Sequence, residues 1–507
     1  MTISVKTVAF EGIEIIEVEA QVHITSGMPS FTIVGLGDKA VRESKDRIKA
    51  ALQSIGITIP AKKITINLSP SDIEKNGAHF DLPIALALLA ALNLLPHEEI
   101  SKYIALGELA LDGRILPILG TLPAAIYANS VDMGVICPKE NGSEAALASS
   151  EIDIIAPLDL TALINHIRGI QFQTRPKLDP SFLTESEEYR GDFFDVRGQF
   201  AAKRALEIAA AGSHNLLMYG PPGTGKSMLA SRILSIMPQM SSVEILQTSI
   251  IKSIAGELKN GSISSSRPFR DPHHSSSMPA MIGGGKNANP GEISLAHNGI
   301  LFLDELAEFP KSLLDSLRQP IENGYINVSR VNKHVRYPAK FQLIAAMNPC
   351  KCGYFGNETK QCKKTPNCAI DYQSRVSGPI MDRIDIHVQV SNFAPTLDDN
   401  GSDRGEKSSI IKARILKARK LQAERYLEIG IEVNDDLIGD QISYFCKLDD
   451  KAKPIMQNAI EKLDLSMRSH NKILKVARTI ADLKGSNLIS DGDLFEALSY
   501  RAKVLNK

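Results

Sequence analysis

The chain has 507 residues, enough for two or three domains with full cores, and its 58 Lys and Arg balance 58 Asp and Glu. A balanced charge excludes nucleic-acid binding through an overall field, so a site of that kind must be a local patch. Six cysteines in this length exclude a disulfide scaffold, and four of them crowd into positions 350–368, a grouping that reads as metal ligands.

The opening MTISVKTVAFEGIEIIEVEA carries acids among its apolar residues and does not read as a signal peptide. Residues 1–170 mix β-rich pieces (VHITSG, FTIVGLG, KITINLS) with helical ones (AVRESKDRIKAALQSIG, LPIALALLAALNLL), which predicts an α/β or α+β unit. The longest apolar run, LPIALALLAALNLLP, is too short to span a bilayer and reads as a buried helix. A soluble, cytoplasmic protein without a membrane segment is expected. Gly35-Leu36-Gly37 follows a strand but lacks the third glycine of a dinucleotide fingerprint, so it reads as a turn. Residues 171–190 are polar with two prolines and read as a linker. A second unit spans 191–395, and 396–507 reads as helical after a polar, Gly-containing connection.

The second unit carries the clearest chemistry. NLLMYGPPGTGKS places a short apolar strand before Gly220, Pro221, Pro222, Gly223, Thr224, Gly225, Lys226 and Ser227, and the helical MLASRILSIM follows. Strand, G-x-x-x-x-G-K-S loop and helix together define a P-loop for ATP. Its glycines let backbone N–H groups turn toward phosphates, and the helix N-terminus adds a positive dipole end. Lys226 should reach the β and γ phosphates, and Ser227 should ligate Mg²⁺. The run ILFLDE reads as a buried strand delivering Asp304, to hold Mg²⁺ through water, and Glu305, to polarise the attacking water. KFQLIAAMN reads as another buried strand, ending in Asn348, whose amide can meet the γ-phosphate or the attacking water. Arg383, just before IHVQV, suits an arginine finger inserted into a neighbouring subunit's site. Arg468 opens a late helix that can fold back on the same subunit's nucleotide, with Arg478 on that helix as a second candidate.

Between Asp304 and Asn348, YINVSR and HVRYPAKF predict a β-hairpin with its turn near Asn332 and Lys333. Arg330, Lys333, His334, Arg336 and Lys340 fall on it without an acid among them. Such a cluster can grip DNA phosphates without reading sequence, or merely solvate an edge hairpin. Beyond Asn348, Cys350, Cys352, Cys362 and Cys368 lie in an insertion over 349–376 and can supply four thiolates to one Zn²⁺; four unligated thiols are the other reading. An insertion of this length gains its order from a metal, on a scale of ~10–16 kcal/mol for small zinc modules. His387 lies in a predicted core strand and is a poor substitute ligand. The adjacent His273 and His274 in FRDPHHSSS are assigned no role.

The stretches VRGQFAAKRALEIAAAGSHNLLMYGPPGTGKS, RPFRDPHHSSS, GGGKNANPGEISLAHNGILFLDELAEF and SGPIMDRIDIHVQV resemble the magnesium-chelatase-like AAA+ proteins of the YifB/ComM family, nearly end to end. The resemblance implies an AAA+ P-loop core with a helical C-terminal lid. It implies a homo-hexameric DNA helicase or translocase that promotes branch migration on single-stranded or branched DNA in recombination or natural transformation. It assigns sensor, finger and lid roles to Asn348, Arg383 and Arg468, and projects the hairpin into a central pore. Family members often show a second C-x-C; here Lys364 stands where its last cysteine would fall, and Cys368 follows four residues later. Residues 1–170 resemble the Lon protease catalytic fold through LGELALDGRILPILG and EKNGAHFDLPIALAL. The positions of that fold's serine and lysine are His79 and Leu122, so the unit is expected to be proteolytically inactive. Two other functions remain open: a magnesium-chelatase motor subunit acting with a porphyrin-binding partner, and a protein-remodelling AAA+ chaperone.

Overall fold

The computed structural model describes residues 2–176, 191–258, 264–285, 288–330, 333–353, 355, 362, 366–391 and 405–501. Most of the expected linker, and the connection before the last unit, lie outside these residues.

The N-terminal unit is built on a seven-stranded mixed sheet. Its order is Ser30–Val34, Lys63–Ser69, Glu14–Thr25, Ile3–Glu11, Tyr103–Ala105, Gly134–Ile136 and Ile154–Ile155. The two longest strands form a hairpin closed between Glu11 and Glu14, where Gly12 takes the left-handed φ of +67° that a tight turn needs. Helix Lys39–Ser54 is capped by the Asp38 carboxylate and buries Val41, Ile48, Ala51 and Leu52 at helical spacing. Helix Asp81–Ala91 is apolar on every side, and Asp81 through Ala90 are all buried, which accounts for the longest apolar run. Among the described residues no helix is long and apolar enough to cross a membrane. Gly35 and Leu36 sit at φ of +110° and +54°, in the turn expected there.

The central unit carries a five-stranded parallel sheet in the order Phe269–Arg270, Ile300–Leu303, Gln342–Met347, Leu216–Tyr219 and Ile386–Gln389. Ile300, Leu301, Phe302 and Leu303 are all buried, as are all six residues of Gln342–Met347. Strands covered on both faces are near-continuously apolar, and here the one polar residue, Gln342, donates its amide to the carbonyls of Ala209 and His214 at 2.9 and 2.7 Å. Parallel strands place all their carboxyl ends along one edge, and the P-loop, Asp304 and Asn348 all follow such ends. The N-terminal unit rests on this core: Ser253 donates to Glu144 at 2.5 Å, and Gly12 has no room for a Cβ because of Val335.

Helices Ser408–Tyr426, Ala452–Leu463, Met467–Lys484 and Asp491–Ser499 form the last unit. The final helix begins with a reciprocal capping box between Ser490 and Asp493. Arg478 does not serve as a lid arginine. It is fully buried and donates to Asp482 at 2.9 and 3.1 Å, and to the carbonyls of Ser486 and Asn487. Asp482 also accepts from Arg425 at 2.5 and 3.0 Å and from Asn434 at 2.9 Å. Asp482→Ala leaves two guanidinium groups without their carboxylate, and about 3–5 kcal/mol of stability should be lost. Urea unfolding followed by circular dichroism checks this; an unchanged midpoint would show that the network does not hold the helical unit together.

Candidate nucleotide site and cysteine cluster

The P-loop joins strand Leu216–Tyr219 to helix Lys226–Ile236. Gly223 and Gly225 adopt φ of +77° and +86°, and Gly220 has no space for a side chain against the carbonyl of Val390. Both constraints demand glycine. Lys226 is buried and donates to the carbonyls of Gly220 and Pro221, each at 2.8 Å, and to the Asn348 Oδ1 at 3.2 Å. Burial lowers its amine below the ordinary lysine value, against the charges of Asp304 and Glu305. The Ser227 hydroxyl donates to Asp304 at 2.5 Å, so the two expected Mg²⁺ ligands already touch. Glu305 is exposed at a left-handed φ of 52°, with its N–H on the Asp304 carboxylate at 2.9 Å. A cavity of about 350 Å³ is lined by residues 222–228, Asp304, Glu305, Met347 and Asn348. Paired carboxylate and hydroxyl for a cation, a lysine and turned N–H groups for phosphates, and a second carboxylate beside them suit MgATP.

His274 is a neighbour that motif reading missed. Its Nδ1 lies 3.6 Å from the Glu305 Oε2, and its ring meets Phe309 edge-on and the tilted His273 ring at 4.1 Å between centres. The signal was topological: strand Phe269–Arg270 pairs beside Ile300–Leu303, so the loop after one strand lies beside the loop after the other.

The two candidate arginines come together on one carboxylate. Arg383 and Arg468 reach the same Glu322 Oε1 at 2.7 and 2.8 Å. Neither is among the residues that line the phosphate cavity. The carboxylate partner of Arg468, from a helix far earlier in the chain, could not be read from sequence.

The hairpin forms between Tyr325–Arg330 and Lys333–Pro338, with Arg330 opposite Lys333. The turn expected near Asn332 and Lys333 falls partly on Asn332, which lies outside the described residues. Ile326, Val328, Val335 and Tyr337 are buried, and the alternate positions His334 and Arg336 face outward. The Arg336 guanidinium lies 4.1 Å from the Tyr325 ring centre. Lys340 is exposed and bridges to Asp436 of the helical unit at 2.8 Å.

The Sγ atoms of Cys350, Cys352, Cys362 and Cys368 all lie within 4.8 Å of one another. Cys350 and Cys362 are buried, and Cys352 is exposed. Lys364 lies outside the described residues. His387 is buried in strand Ile386–Gln389, where burial lowers its imidazole to about 4, and it is not in the cluster. In the N-terminal unit His79 is buried against the Val8 carbonyl at 3.0 Å, with its imidazole lowered to about 4 by desolvation, and Leu122 is buried.

Sequence models for "Magnesium chelatase, subunit ChlI", "Subunit ChlI of Mg-chelatase" and "Magnesium chelatase, subunit ChlI C-terminal" match residues 192–396, 20–141 and 405–501. The competence protein ComM of Haemophilus influenzae is 42% identical over 495 residues, 97% of this chain and 96% of that protein. The YifB protein of Escherichia coli is 42% identical over 498 residues, 98% of this chain and 96% of that one. The chain belongs to the ComM/YifB family of magnesium-chelatase-like proteins. The magnesium-chelatase 38 kDa subunit of Rhodobacter capsulatus is 28% identical over 174 residues, 31% of this chain and 50% of that one. The mixed α/β core and helical C-terminal unit are those of an AAA+ protein, and membership implies ATP hydrolysis with Mg²⁺.

Burial pushes the Glu322 carboxyl up, but hydrogen bonds from Arg383 and Arg468 outweigh it and hold the group below its ordinary value. A lowered carboxylate stabilises the fold above its unfolded value, and that contribution fades as pH falls through the folded one. Wild type should therefore melt above Glu322→Gln at neutral pH, and the gap should close in acid. A gap independent of pH would show that the carboxylate charge is not what holds the two arginines.

Proposed function

We propose that the chain is one subunit of a homo-hexameric, ATP-driven motor that translocates on single-stranded or branched DNA. The observation that carries this reading is the shared carboxyl edge where Lys226, Ser227, Asp304, Glu305 and Asn348 meet. In this reading Lys226 binds the β and γ phosphates, and Ser227 and Asp304 hold Mg²⁺. Glu305 polarises the attacking water, held by His274 until nucleotide arrives, and Asn348 senses the γ-phosphate. Arg383, joined by Arg468 on Glu322, reaches the nucleotide of the adjacent subunit and stabilises charge in the transition state. The hairpin residues Arg330, Lys333 and Arg336 grip DNA phosphates, while Lys340 is engaged with Asp436.

The four cysteines suit one structural zinc: all four are soft thiol donors whose sulfurs already lie within 4.8 Å of one another. The N-terminal unit, resembling a Lon fold with His79 and Leu122 in place of the dyad, is assigned to assembly or partner binding. Its seat on the hairpin strand through Gly12 and Val335 supports that role. Strand exchange is favoured over porphyrin metallation because the competence protein ComM is 42% identical over 97% of this chain, whereas two chelatase-named relatives are 28% identical over 31% of it and 22% identical over 61% of it.

Glu305→Gln should bind MgATP without turnover and retain forked DNA in a ring-sized complex that releases when nucleotide is removed. Arg383→Ala should lose on the order of 10³-fold in turnover. Mixing Arg383→Ala with Lys226→Ala subunits should restore part of the activity. Mixed rings that stay inactive, or a trapped Glu305→Gln that ignores DNA, would contradict the motor.

A further inference from the structure

The cysteine cluster is mounted on both sides of the phosphate cavity. On one side, Asn348 ends its strand and is separated from Cys350 by a single residue, Pro349. The Asn348 Oδ1 accepts from Lys226 at 3.2 Å. The Pro349 carbonyl is held by the Gln373 side chain at 2.9 Å, from the helix Asn367–Gln373 that also carries Cys368. On the other side, Gly353, the residue after Cys352, is buried at a left-handed φ of +79° and packs on Pro222 of the P-loop. A Cβ at Gly353 would stand 2.5 Å from the Pro222 Cδ and 3.0 Å from its Cγ. Both constraints require glycine here: the backbone conformation and the closeness of the proline ring. The Phe355 N–H donates to the Cys350 sulfur at 3.3 Å, which tightens the turn containing Gly353.

We propose that the metal-bound cysteine cluster is a positioning element of the nucleotide site, in which Gly353 props Pro222 and so holds the P-loop in its phosphate-binding curl. The inference rests on the zinc reading above. Among the described residues the cluster has little core of its own: Cys350, Cys362 and Ala369 are buried there, with Phe355 and Cys368 packed against them. A metal therefore supplies most of the order that keeps Gly353 against Pro222. Two sites joined through one packed contact share a coupling free energy, and the coupling must be reciprocal. Metal should raise nucleotide affinity, and nucleotide should raise metal affinity by the same factor.

The test uses the full chain, zinc and MgADP, which binds without turnover. Zinc affinity is measured by competition with a chromogenic chelator, with and without MgADP, and MgADP affinity by calorimetry. In wild type, zinc should be held about 10-fold or more tightly when MgADP is bound, within the usual range for coupled sites. Gly353→Ala should keep one zinc per chain, bind MgADP about 10-fold or more weakly, and bring the coupling factor toward one. Pro222→Ala, which removes the ring and keeps the loop amides, should also bring the factor toward one and serves if Gly353→Ala does not fold. A zinc-loaded wild type with a factor of one would overturn the coupling and leave the metal site standing. A wild type that neither carries nor takes up zinc would overturn both.

Discussion

Three buried parallel strands decide where the chemistry can be. Phe302 lies beside Ile344, and Tyr219 beside Met347, so the chain leaves the sheet at one edge with the P-loop, Asp304 and Asn348 side by side. Hydrogen bonding along that register, and the apolar cover on both faces, keep these groups within one cavity although they come from positions more than a hundred residues apart. Lys226 then finds its oxygen partners, and Ser227 meets Asp304, without further adjustment.

The same edge connects outward. The hairpin leaves the core between the strands that carry Asp304 and Asn348, and its buried face packs with the helices below it. The N-terminal unit touches this hairpin at Gly12 and the helix Ser242–Ala255 through Ser253 and Glu144. A shift in the nucleotide site thus has short, packed routes to the hairpin, to the cysteine cluster and to the N-terminal unit. The helical unit is tied in through Lys340 with Asp436, and through Arg468 with Glu322.

What was legible in the sequence was local. A strand followed by GPPGTGKS, and the apolar runs ending in Asp304 and Asn348, are contiguous signals that report both structure and chemistry. The hairpin could be read because its strands alternate between buried and outward positions. The partnerships that revise the reading join distant residues: Arg468 with Glu322, Lys340 with Asp436, His274 with Glu305. Lysines and arginines read as ligand-binding from composition have internal carboxylates to choose from, and the choice follows from the packing of the helical unit on the core. Arg478 shows this most clearly, since a charged residue on a helix face became part of a buried network.

In the proposed motor, ATP turnover is coupled to DNA through the hairpin. The direct measurement is the turnover of wild type and of a Lys333→Ala, Arg336→Ala double variant, each alone, with forked DNA and with an unfolded protein. Phosphate contacts are independent of sequence and weaken with salt, so the measurement is made at fixed, physiological ionic strength. The expected result is equal basal turnover in both proteins, with stimulation by forked DNA in wild type that is largely lost in the variant. A wild type that ignores DNA and responds to the unfolded protein would contradict a DNA motor.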